Sequence, residues 1–192
     1  MHPNVPSIFD TYKLFENDGP ELNLQILKPL DANTCSSVFH VYAENIQPNA
    51  GAPAQADGNC AAKLAFHHYG LEVHRTLAPD FAPRLLGVSS KPEIGASLYL
   101  MEYLASPAYN TEGWVTLSSL TTPWIGSKLE KICSALDTFI KHLQSLELVH
   151  GDLRPINIMI KVQTGYKIAV PVVIKVIDFE WADAVGKGRY CT

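Results

Sequence analysis

The sequence has few cysteines, no basic run and no long apolar run. The four cysteines are far apart and form no C-x-x-C pair, so we expect reduced thiols and no disulfide framework. Lysine and arginine nowhere cluster and the formal net charge is -4, which argues against a nucleic acid or an anionic membrane surface as partner. No apolar stretch approaches the roughly 20 residues of a membrane span, and the first residues lack the basic and apolar segments of a signal peptide. These absences predict an intracellular, cytoplasmic protein.

The order of polar and apolar stretches predicts an α+β protein with two small lobes. Residues 1–20 mix Pro, Asn, Asp and Gly and read as an irregular lead-in. We expect a first lobe over residues 21–104, built from a small antiparallel sheet and one helix that ends at Pro79. Residues 45–59, rich in Ala, Gly, Pro and Asn, read as a hairpin insertion within it. Residues 105–192 would form a second, mainly helical lobe that carries a β-hairpin.

The clearest helix prediction covers residues 127–148. Apolar residues recur there at steps of three and four positions, which predicts one continuous buried face opposite a polar one. They are Leu129, Ile132, Cys133, Leu136, Phe139, Ile140, Leu143 and Leu146.

Directly after this helix, the chain carries polar residues at characteristic spacings. His150, Asp152 and Asn157 stand in H-x-D-x-x-x-x-N spacing, and a later apolar strand ends in Asp178, followed by Phe179. A lone Asp in such a place is usually a turn or cap residue. Together, however, the two segments resemble the catalytic loop and the Asp-Phe-Gly region of the protein-kinase superfamily, in the same order. The chain is therefore similar to protein-kinase-like proteins, with an N-lobe and a partial C-lobe.

This resemblance implies a phosphotransferase that uses ATP and Mg²⁺. Asp152 would orient the attacking hydroxyl and accept its proton. Asp178 and the amide oxygen of Asn157 would bind Mg²⁺, which prefers oxygen ligands. Arg154 stands where serine/threonine kinases carry a lysine that touches the transferring phosphate. His150 would fix the loop through hydrogen bonds.

Upstream, Ala61-Ala-Lys63-Leu resembles the strand whose lysine holds the α- and β-phosphates. Glu72 is the only acidic residue between Lys63 and Asp80, so the resemblance makes it the partner that orients this lysine. The alternative is an exposed helical Glu72 paired with Arg75, an ordinary surface pair.

The glycine-rich phosphate loop of protein kinases has only a weak counterpart. When Val38 is aligned with the valine that follows that loop, the three glycine positions hold Asp31, Asn33 and Ser36. Ser36 is the residue that we expect to contact the phosphates. Without glycine, close backbone approach to the phosphates is harder, and Asp31 adds negative charge.

The segment Met101-Glu102-Tyr103-Leu104 resembles the hinge between the lobes of a kinase. Backbone groups of Glu102 and Leu104 would bond adenine, and Met101 would guard the pocket behind it. The alternative interpretation is simply the end of a core strand.

Three histidines lie near the predicted first helix, at positions 67, 68 and 74. They lack the i, i+4 spacing that presents two imidazoles on one helical face, and no cysteine is near. We expect them on the solvated surface of the helix.

Two departures from regulated protein kinases narrow the resemblance. Gly151 replaces the arginine that reads a phosphorylated activation loop, and Glu180 replaces the glycine of Asp-Phe-Gly. His-Gly-Asp and Asp-Phe-Glu both look like aminoglycoside phosphotransferases and choline kinases, and the longer strings are similar to short fungal protein-kinase-like proteins. Only fourteen residues follow Asp178, so we expect a C-terminally truncated lobe, which a partner protein could complete.

The predicted function is ATP-dependent transfer of the γ-phosphate to a hydroxyl of a protein substrate. Two alternatives remain open: a small-molecule kinase of the aminoglycoside or choline type, and a catalytically inactive pseudokinase scaffold.

Overall fold

The computed structural model describes residues 23–32, 36–44, 58–66, 69–91, 95–106, 111–120 and 126–187. These residues form mostly antiparallel strands and two α-helices, which confirms the predicted α+β class. No helix among them is long and apolar enough to cross a membrane.

The chain groups into two compact units whose boundaries differ from a simple division along the sequence. Unit 1 takes in residues 1–68 and 84–103, and unit 2 takes in residues 69–83 and 104–192. The segment 69–83, which includes the predicted first helix, therefore groups with the later part of the chain.

Unit 1 contains a five-stranded antiparallel sheet in the order β1-β2-β3-β5-β4. Its strands are β1 (Asn23–Ala32), β2 (Ser36–Glu44), β3 (Asn59–Ala65), β4 (Leu85–Lys91) and β5 (Ala96–Glu102). Of the predicted insertion, residues 45–57 lie outside the described residues, and β3 begins two residues earlier than the predicted strand at Ala61.

The two faces of this sheet differ in chemistry. Side chains alternate along a strand, so Cys60, Ala62 and Leu64 of β3 point to one face, where they join an apolar core with Leu98 and Leu100 of β5. Of the other β3 residues, Ala61, Lys63 and Ala65 point to the other face and are also buried. A lysine is therefore built into a strand that is otherwise buried and largely apolar.

Unit 2 contains both helices and two smaller sheets. The helices are α1 (Leu71–Leu77) and α2 (Leu129–Ser145), and α1 ends just before Pro79, which cannot continue it. One sheet joins β10-β8-β6 with β9 paired to β8, and the other pairs β11 with β7. The strands are β6 (Gly113–Thr116), β7 (Leu148–Val149), β8 (Ile158–Gln163), β9 (Lys167–Ile168), β10 (Ile174–Val176) and β11 (Asp183–Ala184).

Over the described residues, the second lobe combines one long helix with six short strands. Two of these strands form where the Ile- and Val-rich stretches near 158–163 and 174–176 pair with each other. The β-hairpin that the sequence predicts is present as β8 and its antiparallel neighbours.

The predicted continuous buried face of α2 is only partly buried. Ile132, Phe139 and Leu143 are buried, whereas Leu129 is 52% exposed and Ile140 is 39% exposed. The apolar stripe is therefore wider than the part of it that is buried, where the ring of Phe139 lies 5.4 Å from that of Phe81.

Candidate active site

The predicted catalytic loop leaves the short strand β7 and enters β8 through a tight turn. Gly151 has a φ of +78°, a conformation that favours glycine, and it reverses the chain directly after His150. The amide of Arg154 donates to the carbonyl of Asp152 at 2.9 Å, and the amide of Asn157 donates to the carbonyl of Arg154 at 2.8 Å. Pro155 starts a single 3₁₀ turn, Pro155–Asn157, where its missing N–H costs nothing. These local bonds fix the loop's shape.

Within this loop, three predicted residues form one hydrogen-bonded group. Arg154 binds the Asp152 carboxylate at both oxygens, with Nε–Oδ1 at 2.6 Å and a terminal nitrogen–Oδ2 at 2.7 Å. Nδ2 of Asn157 donates to Oδ2 of Asp152 at 2.9 Å and to its carbonyl at 3.0 Å. The pKa of Arg154 is raised because its guanidinium is hydrogen bonded to Asp152 and attracted to that charge. The sequence analysis predicted that Arg154 contacts the transferring phosphate. In the structure its partner is the carboxylate of Asp152, the predicted base.

Asp178 is tied to the same loop through the backbone. The amide of Ile177 donates to the carbonyl of Asn157 at 2.9 Å, so Asp178 directly follows a residue bonded to the loop. Asp178 itself has a φ of +69°, which is uncommon outside glycine although Asp tolerates it better than most. Such backbone conformations cluster at functional sites.

The donor set of Asn157 and Asp178 fits Mg²⁺. Because Nδ2 of Asn157 is turned to Asp152, its Oδ1 is the atom that remains to bind a cation. One carboxylate and one amide oxygen suit a Mg²⁺ ion that takes its other ligands from phosphates and water. No cluster of three or more His, Cys, Asp or Glu side chains that could hold a metal occurs in the described part of the chain.

His150 plays the structural part that the sequence analysis expects. It is buried, and its Nε2 donates to the carbonyl of Ile177 at 3.1 Å, which links the loop to the strand before Asp178. Burial lowers the pKa of His150, against the opposing effects of the Ile177 hydrogen bond and of the charges on Asp178 and Asp152.

Phe179 lies fully buried among three other rings. The ring of His74 stacks on it at 4.6 Å and 15°, His150 meets it edge-on at 4.9 Å, and Tyr69 lies at 6.3 Å. The solvated surface expected for His74 was therefore wrong, while His67 and His68 lie outside the described residues. A seven-residue helix is too short for periodicity to reveal which side is buried.

The hydrogen bonds of His74 indicate which ring nitrogen carries a hydrogen. Nε2 lies 2.6 Å from the carbonyl of Pro83, which can only accept, so Nε2 carries the hydrogen. Nδ1 lies 2.6 Å from the hydroxyl of Tyr69 and accepts from it when the imidazole is neutral. A neutral imidazole satisfies both bonds and packs flat on Phe179. Sequence reasoning missed Tyr69 and the role of His74, because no motif marks them.

Two glycines hold the turn that follows Asp178. The amide of Gly70 donates to the carbonyl of Phe179 at 2.8 Å, and a Cβ on Gly70 would lie 2.7 Å from Cβ of Ala182. A Cβ on Gly151 would lie 2.6 Å from Cβ of Trp181 and closer still to the Trp181 carbonyl oxygen. Gly151 is thus required by its φ and by close packing. This is a steric reason for the absence of arginine there.

In unit 1, the predicted phosphate-binding residues are placed by the sheet. Lys63 is 5% exposed on β3, opposite Val38 of β2 and Tyr99 of β5. Ser36 is the buried first residue of β2 and lies opposite Ala65. Asp31 is exposed, and its carboxylate accepts from the next amide in the chain at 2.9 Å. Asn33 lies outside the described residues.

The predicted hinge residues continue from β5. The amide of Glu102 donates to the carbonyl of Arg84 at 2.8 Å, and its carboxylate accepts from the Arg84 amide at 3.1 Å. Met101 is buried, and Leu104 is half-buried. Adenine binding by Glu102 and Leu104 stays a prediction.

Glu72 occupies the first turn of α1, in unit 2. Its side chain is 82% exposed and pairs with Arg75 at 2.7 Å, which is the surface pair that the sequence analysis weighed as the alternative. The predicted partnership with Lys63 stays a prediction.

Comparison with known proteins adds no relative. No family model matches the chain, and no curated protein matches it. The geometry of the site is therefore what bears on function.

Proposed function

We propose that this protein is a phosphotransferase of the protein-kinase-like superfamily, with a kinase-like fold, that uses Mg²⁺ and ATP to phosphorylate a hydroxyl of a protein substrate. The observation that carries this proposal is the hydrogen-bonded group of Asp152, Arg154 and Asn157, joined through Ile177 to Asp178. The residues that phosphoryl transfer needs as base, metal ligands and phosphate contact are held together in unit 2.

The proposed chemistry assigns one role to each side chain. Asp152 accepts the proton of the attacking hydroxyl. Arg154, which is 65% exposed and so can turn at little cost, leaves the carboxylate and contacts the transferring phosphate. Asp178 and Oδ1 of Asn157 hold Mg²⁺, which when bound neutralises charge on the phosphates. Lys63 of unit 1, with Ser36, binds phosphates, and backbone groups of Glu102 and Leu104 bind the base.

A second candidate, a small-molecule kinase, is supported by one observation. Gly151 packs without room for a side chain against Trp181, so position 151 supplies no arginine to read a phosphorylated loop. That arrangement suits the unregulated kinases of aminoglycosides and choline, which the His-Gly-Asp and Asp-Phe-Glu strings resemble. The acceptor hydroxyl would then belong to an amino alcohol or aminoglycoside.

The test separates nucleotide binding from turnover. Calorimetric titration with ATP, with and without Mg²⁺, is made on the parent, on Asp152→Asn, on Asp178→Asn and on the surface control Asp137→Asn. We expect Asp152→Asn to bind Mg²⁺-ATP but to lose phosphotransfer by about 10²-fold or more. Asp178→Asn should lose the Mg²⁺-dependent part of the affinity, and the control should behave as the parent.

The phosphotransfer assay offers Ser-, Thr- and Tyr-containing peptides beside a panel of amino alcohols and aminoglycosides. Transfer to peptides supports the first candidate, and transfer to the small molecules supports the second. Absence of Mg²⁺-ATP binding by the parent would overturn both enzyme candidates and leave a scaffold. Binding without any transfer would identify a nucleotide-binding pseudokinase.

A further inference from the structure

Three side chains at one end of the unit 1 sheet form a fixed aromatic stack. His40 of β2 lies parallel to Tyr103, which follows β5, with ring centres 4.0 Å apart and planes at 16°. Nε2 of His40 lies 2.7 Å from Oδ1 of Asn59 on β3. Because this oxygen can only accept, Nε2 carries the hydrogen and Asn59 fixes the plane of the imidazole. The stack, defined as His40, Asn59 and Tyr103, therefore presents rings of set orientation.

The register of the strands places this stack on the face that carries Lys63. His40 lies opposite Ala61, and Ala61 lies opposite Met101, so the three side chains share one face of the sheet. Lys63 is two residues after Ala61 on the same strand and therefore points to the same face. Between the stack and the lysine, the middle strand contributes only the methyl group of Ala61. This row thus has a flat aromatic end, a small centre and a cationic end.

The stack is also continuous with the predicted hinge. Tyr103 is the residue between Glu102 and Leu104, whose backbone groups are the expected partners of the base. A nucleobase has a π face for stacking and an edge for backbone hydrogen bonds, and both kinds of group meet here. A phosphate chain, by contrast, needs the lysine. The two ends of the row match the two ends of a nucleotide.

We propose that His40, held by Asn59 and stacked on Tyr103, is the residue that binds the nucleobase and separates a nucleotide from other polyphosphates. This inference rests on the proposed function, because it assigns part of the same nucleotide site. It adds His40 and Asn59, which no motif marks: the position of His40 follows only from the strand register and the ring contact. Tyr103 acts by positioning the imidazole and Asn59 by fixing its plane.

The experiment uses two half-ligands, so that base and phosphate binding are measured separately. Adenosine carries the base without phosphates, and Mg²⁺-tripolyphosphate carries the phosphates without a base. Both are titrated calorimetrically into the full chain, into His40→Ala, into His40→Phe and into Phe66→Ala, which removes a 44% exposed aromatic of unit 1 outside the stack. Urea unfolding of every variant checks that the fold is kept.

We expect His40→Ala to weaken adenosine binding by about 5- to 150-fold, the range for loss of one base–aromatic stack. Its affinity for Mg²⁺-tripolyphosphate should not change. His40→Phe, which keeps a flat ring, should retain most of the adenosine affinity, and Phe66→Ala should match the parent for both ligands. If the stack only stabilised the sheet, His40→Ala would change the unfolding midpoint but would not weaken adenosine binding selectively over Mg²⁺-tripolyphosphate binding.

Equal adenosine affinity in the parent and His40→Ala would overturn the inference, and so would equal losses for both ligands. Failure of the parent to bind adenosine while it binds tripolyphosphate would also overturn it. Failure of phosphotransfer alone would not, because adenosine binding that depends on His40 needs no catalysis. The inference and the proposed function can thus fail separately.

Discussion

The segment Asp152–Asn157 of unit 2 and the strands around Lys63 in unit 1 hold their polar residues in different ways. In unit 2, Asp152, Arg154 and Asn157 bond to one another, and packing around Phe179 fixes the segment that carries Asp178. In unit 1, Lys63 and Ser36 take their positions from strand register, and Asp31 bonds only to its own turn. The difference teaches that the residues proposed for catalysis and metal binding belong to a packed network. Those proposed for phosphate binding depend on the register of a sheet, and no glycine stands at the three positions aligned with the kinase phosphate loop.

The largest effect should come from Gly151→Ala, which tests whether packing fixes the unit 2 loop. A Cβ there meets both a left-handed backbone, worth about 1–2 kcal/mol, and an overpacked contact with Trp181, worth about 1–3 kcal/mol more. We expect a loss of about 3 kcal/mol in the free energy of unfolding, measured by urea titration of tryptophan fluorescence. Gly165→Ala is the matched control, because Gly165 also has a positive φ (+72°) but open space around it, and should cost about 1–2 kcal/mol. Equal losses of unfolding free energy in the two variants would show that the turn at Trp181 can shift to accept a Cβ at little energetic cost.

A similar loss should follow from His74→Ala. This change removes the ring stacked on Phe179 and the two buried hydrogen bonds, so we expect about 2–4 kcal/mol of destabilisation. His74→Phe keeps the stacked ring and loses only the hydrogen bonds, so it should cost about 1–3 kcal/mol. The measurement is again urea unfolding. A variant His74→Ala as stable as the parent would mean that Phe179 is held without α1.

A pH effect of intermediate size should come from His150. Its pKa in the folded protein lies below the ordinary value of 6.5, chiefly because of burial, so the unfolded chain binds more protons below that pH. The contribution of the buried neutral form is complete above pH 6.5, and the free energy of unfolding should fall as the pH decreases from there to the lowered folded pKa. Unfolding midpoints over this range should slope less in His150→Gln than in the parent. Identical slopes would contradict a buried neutral His150.

The smallest effect should come from Glu72→Gln, which sharpens the comparison between the units. The pair with Arg75 is exposed, so its loss should change the free energy of unfolding by no more than about 0.5 kcal/mol. Arg75→Gln is the control for the same pair. If Glu72 orients Lys63 during catalysis, only Glu72→Gln should weaken Mg²⁺-ATP binding in calorimetry. Equal affinities in the two variants would leave Glu72 a surface residue.

The sequence predicted the candidate site best where the residues that act together are also close together along the chain. Asp152, Arg154 and Asn157 lie within six consecutive residues, so a short loop is enough to bring them together, and the resemblance to the kinase catalytic loop named all three. The sequence likewise predicted the end of α1 at Pro79 and the long helix α2, whose periodicity spans many turns.

Features that depend on distant packing could not be predicted in this way. The burial of His74 requires Phe179, which is 105 residues later, and no local pattern reports such a contact. The exposure of Leu129 and Ile140 also contradicts an even apolar stripe, because periodicity gives the direction of a helix face but not the width of the surface that covers it.

The close approach of Gly151 to Trp181 also limits how this chain can change. A single nucleotide substitution converts many glycine codons to arginine, so the genetic code poses no barrier at position 151. The obstruction comes partly from the backbone oxygen of Trp181, which no side-chain replacement at position 181 can remove. Gly70 holds the same turn at Ala182, so the turn cannot simply move away on that side. Any side chain at position 151 therefore requires the main chain of the turn at Trp181 to shift, and a change of side chain at position 181 is not enough.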